Sequence, residues 1–184
     1  MSEEDIVDLS FLLNQFGKST EEVIDNCEKY GAVLLPLGMQ TPDIYGGFET
    51  VFDARVHMNT YFRQKDYIAF SAIGFNFYRN EAVECIISLG TPEDLGRYHS
   101  EEAVLKTLSQ SFQREFQNGR IQADDSGNRA CTWLSWGQLI SLVSYADSPE
   151  SSGVHISIQI RDSKNHPHGR ELTVLYDASP RMKG

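Results

Sequence analysis

Ile73-Gly74-Phe75-Asn76-Phe77-Tyr78-Arg79-Asn80-Glu81-Ala82-Val83-Glu84-Cys85-Ile86-Ile87-Ser88-Leu89 decides the fold class. Ile73, Phe75 and Phe77 alternate with Gly74, Asn76 and Tyr78. After the polar break Arg79-Asn80-Glu81, a second alternation follows on Val83, Cys85, Ile87 and Leu89. Residues two apart share one face of a strand, so two such runs about a short break predict a β-hairpin with one buried face. The pattern returns near the C-terminus, where Val154, Ile156, Ile158 and Ile160 alternate with His155, Ser157, Gln159 and Arg161. One face of that strand is expected to be dry and the other wet.

Upstream of the hairpin, Gly47 to Phe62 carry β-branched and aromatic residues, with Phe48, Val51, Phe52, Val56, Tyr61 and Phe62 expected to pack. Pro36 to Gly47 read as a loop, and Ala32 to Leu35 as a short buried strand. Two helices open the chain. Ser2 is placed to cap one running through Ile6, Leu9, Leu12, Leu13 and Phe16, with Gly17 as its stop. Ser19-Thr20-Glu21-Glu22 has the form of a capping box, in which the Ser oxygen and the Glu carboxylate satisfy free amides at the helix start. Val23, Ile24, Cys27 and Tyr30 then make one apolar stripe, Glu21, Glu22, Asp25 and Glu28 take the rest of the circumference, and Gly31 ends the helix. Downstream, Ser100 caps a helix whose Val104, Leu105, Leu108, Phe112 and Phe116 repeat at helical spacing, closed by Gly119. A turn at Asp124–Asn128 leads to strands over Cys131–Trp136, Gln138–Tyr145, Val154–Arg161 and Glu171–Tyr176.

The two halves follow one plan: a capped helix, then strands ending in a hairpin. An offset of 81 residues sets Phe75–Arg79 against Ile156–Ile160. The expected fold is therefore α+β, with two sequential helix-plus-antiparallel-sheet units, residues 1–96 and 97–184, forming a tandem repeat of pattern packed as one compact protein. In layout alone this resembles tandem helix-on-sheet inhibitors such as the β-lactamase inhibitory proteins. No motif carries a family assignment.

Charge narrows function. The 184 residues hold 26 acids and 16 bases, a net charge of −10. Nucleic-acid binders and membrane-surface helices draw affinity from a basic excess, so neither partner is expected. The longest apolar run, Ala32 to Met39, is broken by Pro36 and Gly38 and falls far short of the ~20 residues a bilayer span needs. Met1-Ser2-Glu3-Glu4-Asp5 is acidic where a secretory signal is basic. Cys27, Cys85 and Cys131 are odd in number and widely spaced, which suits buried thiols in a reducing cytoplasm rather than a disulfide framework. Residues 1–30 alone carry eight acids against two bases, more than half of the imbalance.

No catalytic or metal motif survives inspection. His166-Pro167-His168 is the one close histidine pair, but among acids and cysteines only Asp162 shares its turn, so a solvated loop is expected rather than a metal site. His155 and Ser157 share a strand face without an orienting third group. Asp124-Asp125-Ser126-Gly127-Asn128 lacks the spacing and the glutamate of a calcium loop. Gly17-Lys18-Ser19-Thr20 lacks the first glycine of a phosphate loop, where Leu12 stands. No cofactor or metal is expected. Trp133 and Trp136 point to opposite faces if their strand is regular, so one belongs to the core and the other to the surface.

These observations favour a non-enzymatic, bacterial, cytoplasmic protein-binding module: an immunity or inhibitor protein that occludes a basic partner such as a toxin or nuclease domain. Glu21, Glu22, Asp25 and Glu28 would steer and pair with the partner's Lys and Arg, and Trp136 would supply a desolvated anchor. The alternatives are a small-molecule-binding protein or enzyme with a helix–sheet pocket walled by His155 and Arg161, and a subunit that dimerises through a strand edge. A monomer or weak homodimer is expected.

Overall fold

A computed structural model of the chain describes residues 2–35, 39–42, 49–123, 128–145 and 156–183. The strands are β1 (Ile6–Asp8), β2 (Val33–Leu35), β3 (Met39–Pro42), β4 (Glu49–Phe52), β5 (Ala54–Gln64), β6 (Tyr67–Tyr78), β7 (Glu81–Ser88), β8 (Arg120–Ala123), β9 (Arg129–Ser135), β10 (Gln138–Ser144) and β11 (Ile156–Asp162). The helices are α1 (Leu9–Leu13), α2 (Thr20–Asn26), α3 (Glu101–Phe116) and α4 (Gly169–Ala178), with single 3-10 turns at Glu3–Asp5 and Glu28–Tyr30. The fold is mixed α+β.

The hairpin forms where the alternation predicts it. β6 and β7 pair antiparallel across Ile73↔Ile87 and Phe75↔Cys85, with a register shift after Asn76. The turn residues Arg79 and Asn80 both have positive φ. One sheet runs in the order β1-β5-β6-β7-β11-β10-β9-β8, with β2 also on β5; β3 and β4 form a separate pair. All pairings are antiparallel except β1 on β5. The meanders β5-β6-β7 and β9-β10-β11 meet where β7 pairs with β11, so the sheet continues across the division at residues 96 and 97.

The core lies on one sheet face. Val56, Met58, Phe62, Ile73, Phe75, Phe77, Cys85, Ile87, Ile158, Ile160, Ile140 and Trp133 pack there against Val104, Leu108 and Phe112 of α3 and against Leu9, Leu12, Val23 and Cys27 from the N-terminal helices. Fully burying one such aliphatic or aromatic side chain stabilises the fold by roughly 1.5–3 kcal/mol, which is why the 2-residue period dictates this face. On the opposite face a smaller cluster joins Leu139 to Leu172 and Tyr176 of α4.

Four local expectations are corrected. The first helix does not start at Ser2: Ile6-Val7-Asp8 runs extended beside β5, Val7 is buried, and Asp8 caps α1 by accepting the Phe11 amide at 2.9 Å. The apolar 3–4 spacing is real, but it begins at Leu9, after two β-branched residues that suit a strand. The strand at Val33–Leu35 exists, yet all three side chains are exposed, because it lies outermost on β5. Gly119 does not reverse the chain after α3; Gln117 and Asn118 do, with φ of 58° and 56°. Gly119 provides room, since a Cβ there would lie 2.5 Å from Trp133 Nε1. Finally, Glu171–Tyr176 is helix, not strand. Leu172 and Tyr176, four apart, are buried while Val174 is 61% exposed, so the period is helical despite the apolar alternation.

Of the expected packing residues before the hairpin, Phe52, Val56 and Phe62 are buried, Tyr61 is half-buried and Val51 is exposed. Phe48 lies outside the described residues, as do residues 124–127 of the Asp124–Asn128 turn, Val154 and His155.

Candidate functional site

The capping box at Ser19 forms. Ser19 Oγ accepts the Glu22 amide at 3.2 Å, and Glu22 Oε1 accepts the Ser19 amide at 3.4 Å. Glu22 is thereby partly engaged in holding the helix, while Glu21, Asp25 and Glu28 project into solvent. Glu21 and Asp25 stand four apart on one helix face, a like-charge arrangement that costs the isolated helix a few tenths of a kcal/mol. The Thr20 amide and hydroxyl both donate to Asn80 Oδ1, at 3.2 and 3.0 Å. The Gly17 amide donates to the Ala82 carbonyl, and the Ala82 amide to the Lys18 carbonyl, both at 2.9 Å. Those four bonds fasten the start of α2 to the β6–β7 turn. Between α2 and β2 lies a groove of about 360 Å³, lined by Thr20, Glu21, Ile24, Asp25, Ala32 and Leu34.

Trp136 sits elsewhere in the chain but at the same end of the sheet. β9 and β10 pair up to Ser135↔Gln138, leaving a two-residue turn in which Trp136 has φ 52° and Gly137 φ 80°. Two successive positive φ values define the hairpin turn whose twist matches the strands. Trp136 is 99% exposed, whereas Trp133 is wholly buried and donates from Nε1 to Gln113 Oε1 at 2.8 Å. The turn, rather than strand alternation, separates the two rings. The registers Glu84↔Arg161 and Gln138↔Asp162 put the β6–β7 and β9–β10 turns on one sheet end, three strand spacings or about 14 Å apart. Beside Trp136, a hollow of about 450 Å³ is bordered by Leu9, Leu13, Glu115 and Phe116.

A row of polar side chains on the second sheet face was not anticipated. Arg55, Asn76, Glu84 and Arg161 are successive register partners across β5, β6, β7 and β11. Arg55 Nε donates to Asn76 Oδ1 at 2.7 Å, and Asn76 Nδ2 to Glu84 Oε2 at 2.6 Å. Glu84 Oε1 lies 3.5 Å from His166 Nε2, and His166 Nδ1 accepts the His168 amide at 3.1 Å. Nδ1 is thus engaged by the chain, whereas Nε2 is buried beside the Glu84 carboxylate without a hydrogen bond among the described residues. Arg161 Nη2 donates to Ser141 Oγ at 2.9 Å, and Ser141 Oγ and Thr132 Oγ1 are 2.8 Å apart. His166 is buried against Phe52, not solvated, and Arg161 is buried on this face, away from the α3 side. The alternation displayed these polar positions, but their phase reads as a wet face; burial beneath later elements leaves no local signal. Such a row fixes strand register, since an unpaired buried polar group costs about 1–3 kcal/mol.

A further groove of about 780 Å³ runs between α3 and β9–β10, with His99, Lys106, Arg129, Cys131 and Ser144 on its walls. Burial raises the Cys131 thiol above its ordinary value, pushes Cys27 up to about 11 and holds Cys85 well above the usual range. Burial thus disfavours the thiolate at all three, the opposite of the lowered value that activates a cysteine. Among the described residues, no three His, Cys, Asp or Glu side chains converge as a metal site, and no helix is long and apolar enough to cross a membrane.

No family model matches the sequence, and no curated protein does. Among solved structures, the chain is similar to an extracellular protein containing an SCP domain from Bacillus anthracis str. Ames, with a TM-score of 0.32 and 14% identity. That alignment covers all of this chain and 52% of the other, so the chain spans about half the length of that protein.

Proposed function

We propose that this chain is a non-catalytic protein-binding module, a bacterial cytoplasmic immunity or inhibitor protein that occludes a basic partner such as a toxin or nuclease domain. Trp136 carries the reading. Its ring is 99% exposed and its backbone is left-handed, a conformation that costs a non-glycine residue roughly 1–2 kcal/mol. Neither packing nor backbone preference accounts for a tryptophan there, and tryptophan is the residue most enriched at binding hot spots. The exposed carboxylates of Glu21 and Asp25 on α2, whose start is fastened at the same sheet end, and of Glu28 in the 3-10 turn after it supply the acidic rim that steers a basic surface. We read the meanders β5-β6-β7 and β9-β10-β11 as the two units, with β6 in the first standing where β10 stands in the second. That equivalence differs from the 81-residue offset, which pairs β6 with β11.

The chain holds two tryptophans, one buried and one exposed, so Trp136 reports its own contact. A bound partner shifts the red-edge emission to the blue and protects it from iodide, and Trp136→Phe removes that component. A partner that binds at full affinity without altering this emission sinks the proposal. A small-molecule site in the α3 groove is the second reading; ligand-induced shifts confined to residues 99–109 and 129–144 would favour it.

A further inference from the structure

We infer that β2 is a strand-addition site for an extended segment of a partner in which long basic residues alternate with apolar ones. This rests on the reading of the chain as a binder of basic proteins, and it names how that partner is gripped.

The sheet has two edges, and they are treated differently. At β8 the C-terminal segment lies alongside: the Ile121 amide donates to the Pro180 carbonyl and the Met182 amide to the Gly119 carbonyl, both at 2.8 Å. The other edge is shared on β5 by β1, at Ile6↔Tyr61 to Asp8↔Arg63, and by β2, at Val33↔His57, Leu34↔Val56 and Leu35↔Arg55; the far side of β2 has no strand partner among the described residues. Open edges are normally blunted by shortness, lysine, proline or a bulge, because their free N–H and C=O groups recruit other chains. β2 is short, three residues with Pro36 next in sequence, but its own side chains Val33, Leu34 and Leu35 are uncharged and 51%, 44% and 39% exposed.

The two faces of β2 specify what fits. Leu34, opposite Val56, lies on the α2 side, where Ile24 and Ala32 join it in the floor of the groove and Glu21 and Asp25 form the rim. Among the described residues, no lysine or arginine lines that groove. A Lys or Arg on the added strand would lay its methylene stem on Ile24 and Leu34 and bring its charge to the two carboxylates. The next residue would point to the opposite face, against Val33 and Leu35, where a β-branched apolar side chain packs best. A second copy of β2 is a poorer occupant. It would bring another uncompensated acidic α2 toward the first, and like charges disfavour that approach.

The test uses three short capped peptides on the full chain: one alternating lysine and valine, the same peptide with a central proline, and one alternating glutamate and valine. The expected result is that the lysine–valine peptide shifts the amide resonances of Val33–Leu35. Proline interruption, glutamate replacement, or the surface variant Glu21→Lys/Asp25→Lys should each weaken binding about tenfold or more. Equal binding of the interrupted peptide, indifference to charge reversal, shifts elsewhere than β2, or self-association through β2 in light scattering overturns the inference. The two readings fail separately. If partner binding still depends on Trp136 while the peptides leave β2 untouched, strand addition is wrong and the binder reading stands. If partner binding ignores both Trp136 and α2, the binder reading falls whatever the peptides do.

Discussion

Replacing Trp136 by asparagine separates folding from recognition. The substitution removes a ring that is 99% exposed, so almost no buried apolar area is lost and the transfer cost is near zero. It places asparagine at φ 52° before Gly137 at φ 80°, producing the Asn-Gly pair that a two-residue turn of this kind prefers. Tryptophan in the left-handed region costs roughly 1–2 kcal/mol, of which asparagine recovers a large part through its tolerance of that region. A gain of about 1 kcal/mol raises the melting temperature of a chain this size by about 2–4 °C. Scanning calorimetry on Trp136→Asn should therefore show Tm unchanged or raised, while partner affinity falls by ~2 kcal/mol or more, the hot-spot range. A Tm lowered by several degrees would mean that the ring packs after all. The assignment of Trp136 to recognition would then have no basis.

Three further outcomes are expected. Gly119→Ala should destabilise the fold by about 2–3 kcal/mol, read as a lower urea midpoint, because its Cβ would crowd Trp133 Nε1 and Met182 Sδ and disturb the Trp133–Gln113 bond. Glu84→Ala should cost about 3 kcal/mol or more by leaving Asn76 and His166 without their carboxylate, whereas the shape-preserving Glu84→Gln should cost clearly less in the same titration. Cys27 is raised in the folded chain above its ordinary value of 9.0 to about 11, so the native state holds its proton more tightly than the unfolded state. The resulting stability is complete below about pH 9 and is lost as pH rises toward 11; Cys85 acts in the same direction. Unfolding midpoints measured across that window should fall, and Cys27→Ala should flatten part of the fall.

The β6–β7 hairpin was legible because its 2-residue period coincides with the burial it causes, and the caps at Ser19 and Ser100 because they are short-range hydrogen bonds between a side chain and nearby amides. What failed was whatever depends on distant neighbours. Val33-Leu34-Leu35 are as apolar as a core strand, and only their outermost place in the sheet leaves them exposed. Leu172, Val174 and Tyr176 satisfy both strand alternation and part of a helical stripe; docking on Leu139 selects the helix. Arg55, Asn76, Glu84 and Arg161 become one network only once four strands align, which no single segment announces. The acidic α2 face and Trp136 were both identifiable as separate features. Their shared sheet end follows from the β7–β11 pairing.

The most direct measurement is the salt dependence of affinity for a partner cross-linked through a photoreactive residue at position 136. With the native chain, affinity should fall steeply as ionic strength rises. With Glu21, Glu22, Asp25 and Glu28 all changed to lysine, binding should be lost or its salt slope inverted. An unchanged affinity and slope in that variant would contradict recognition of a basic partner by the α2 face.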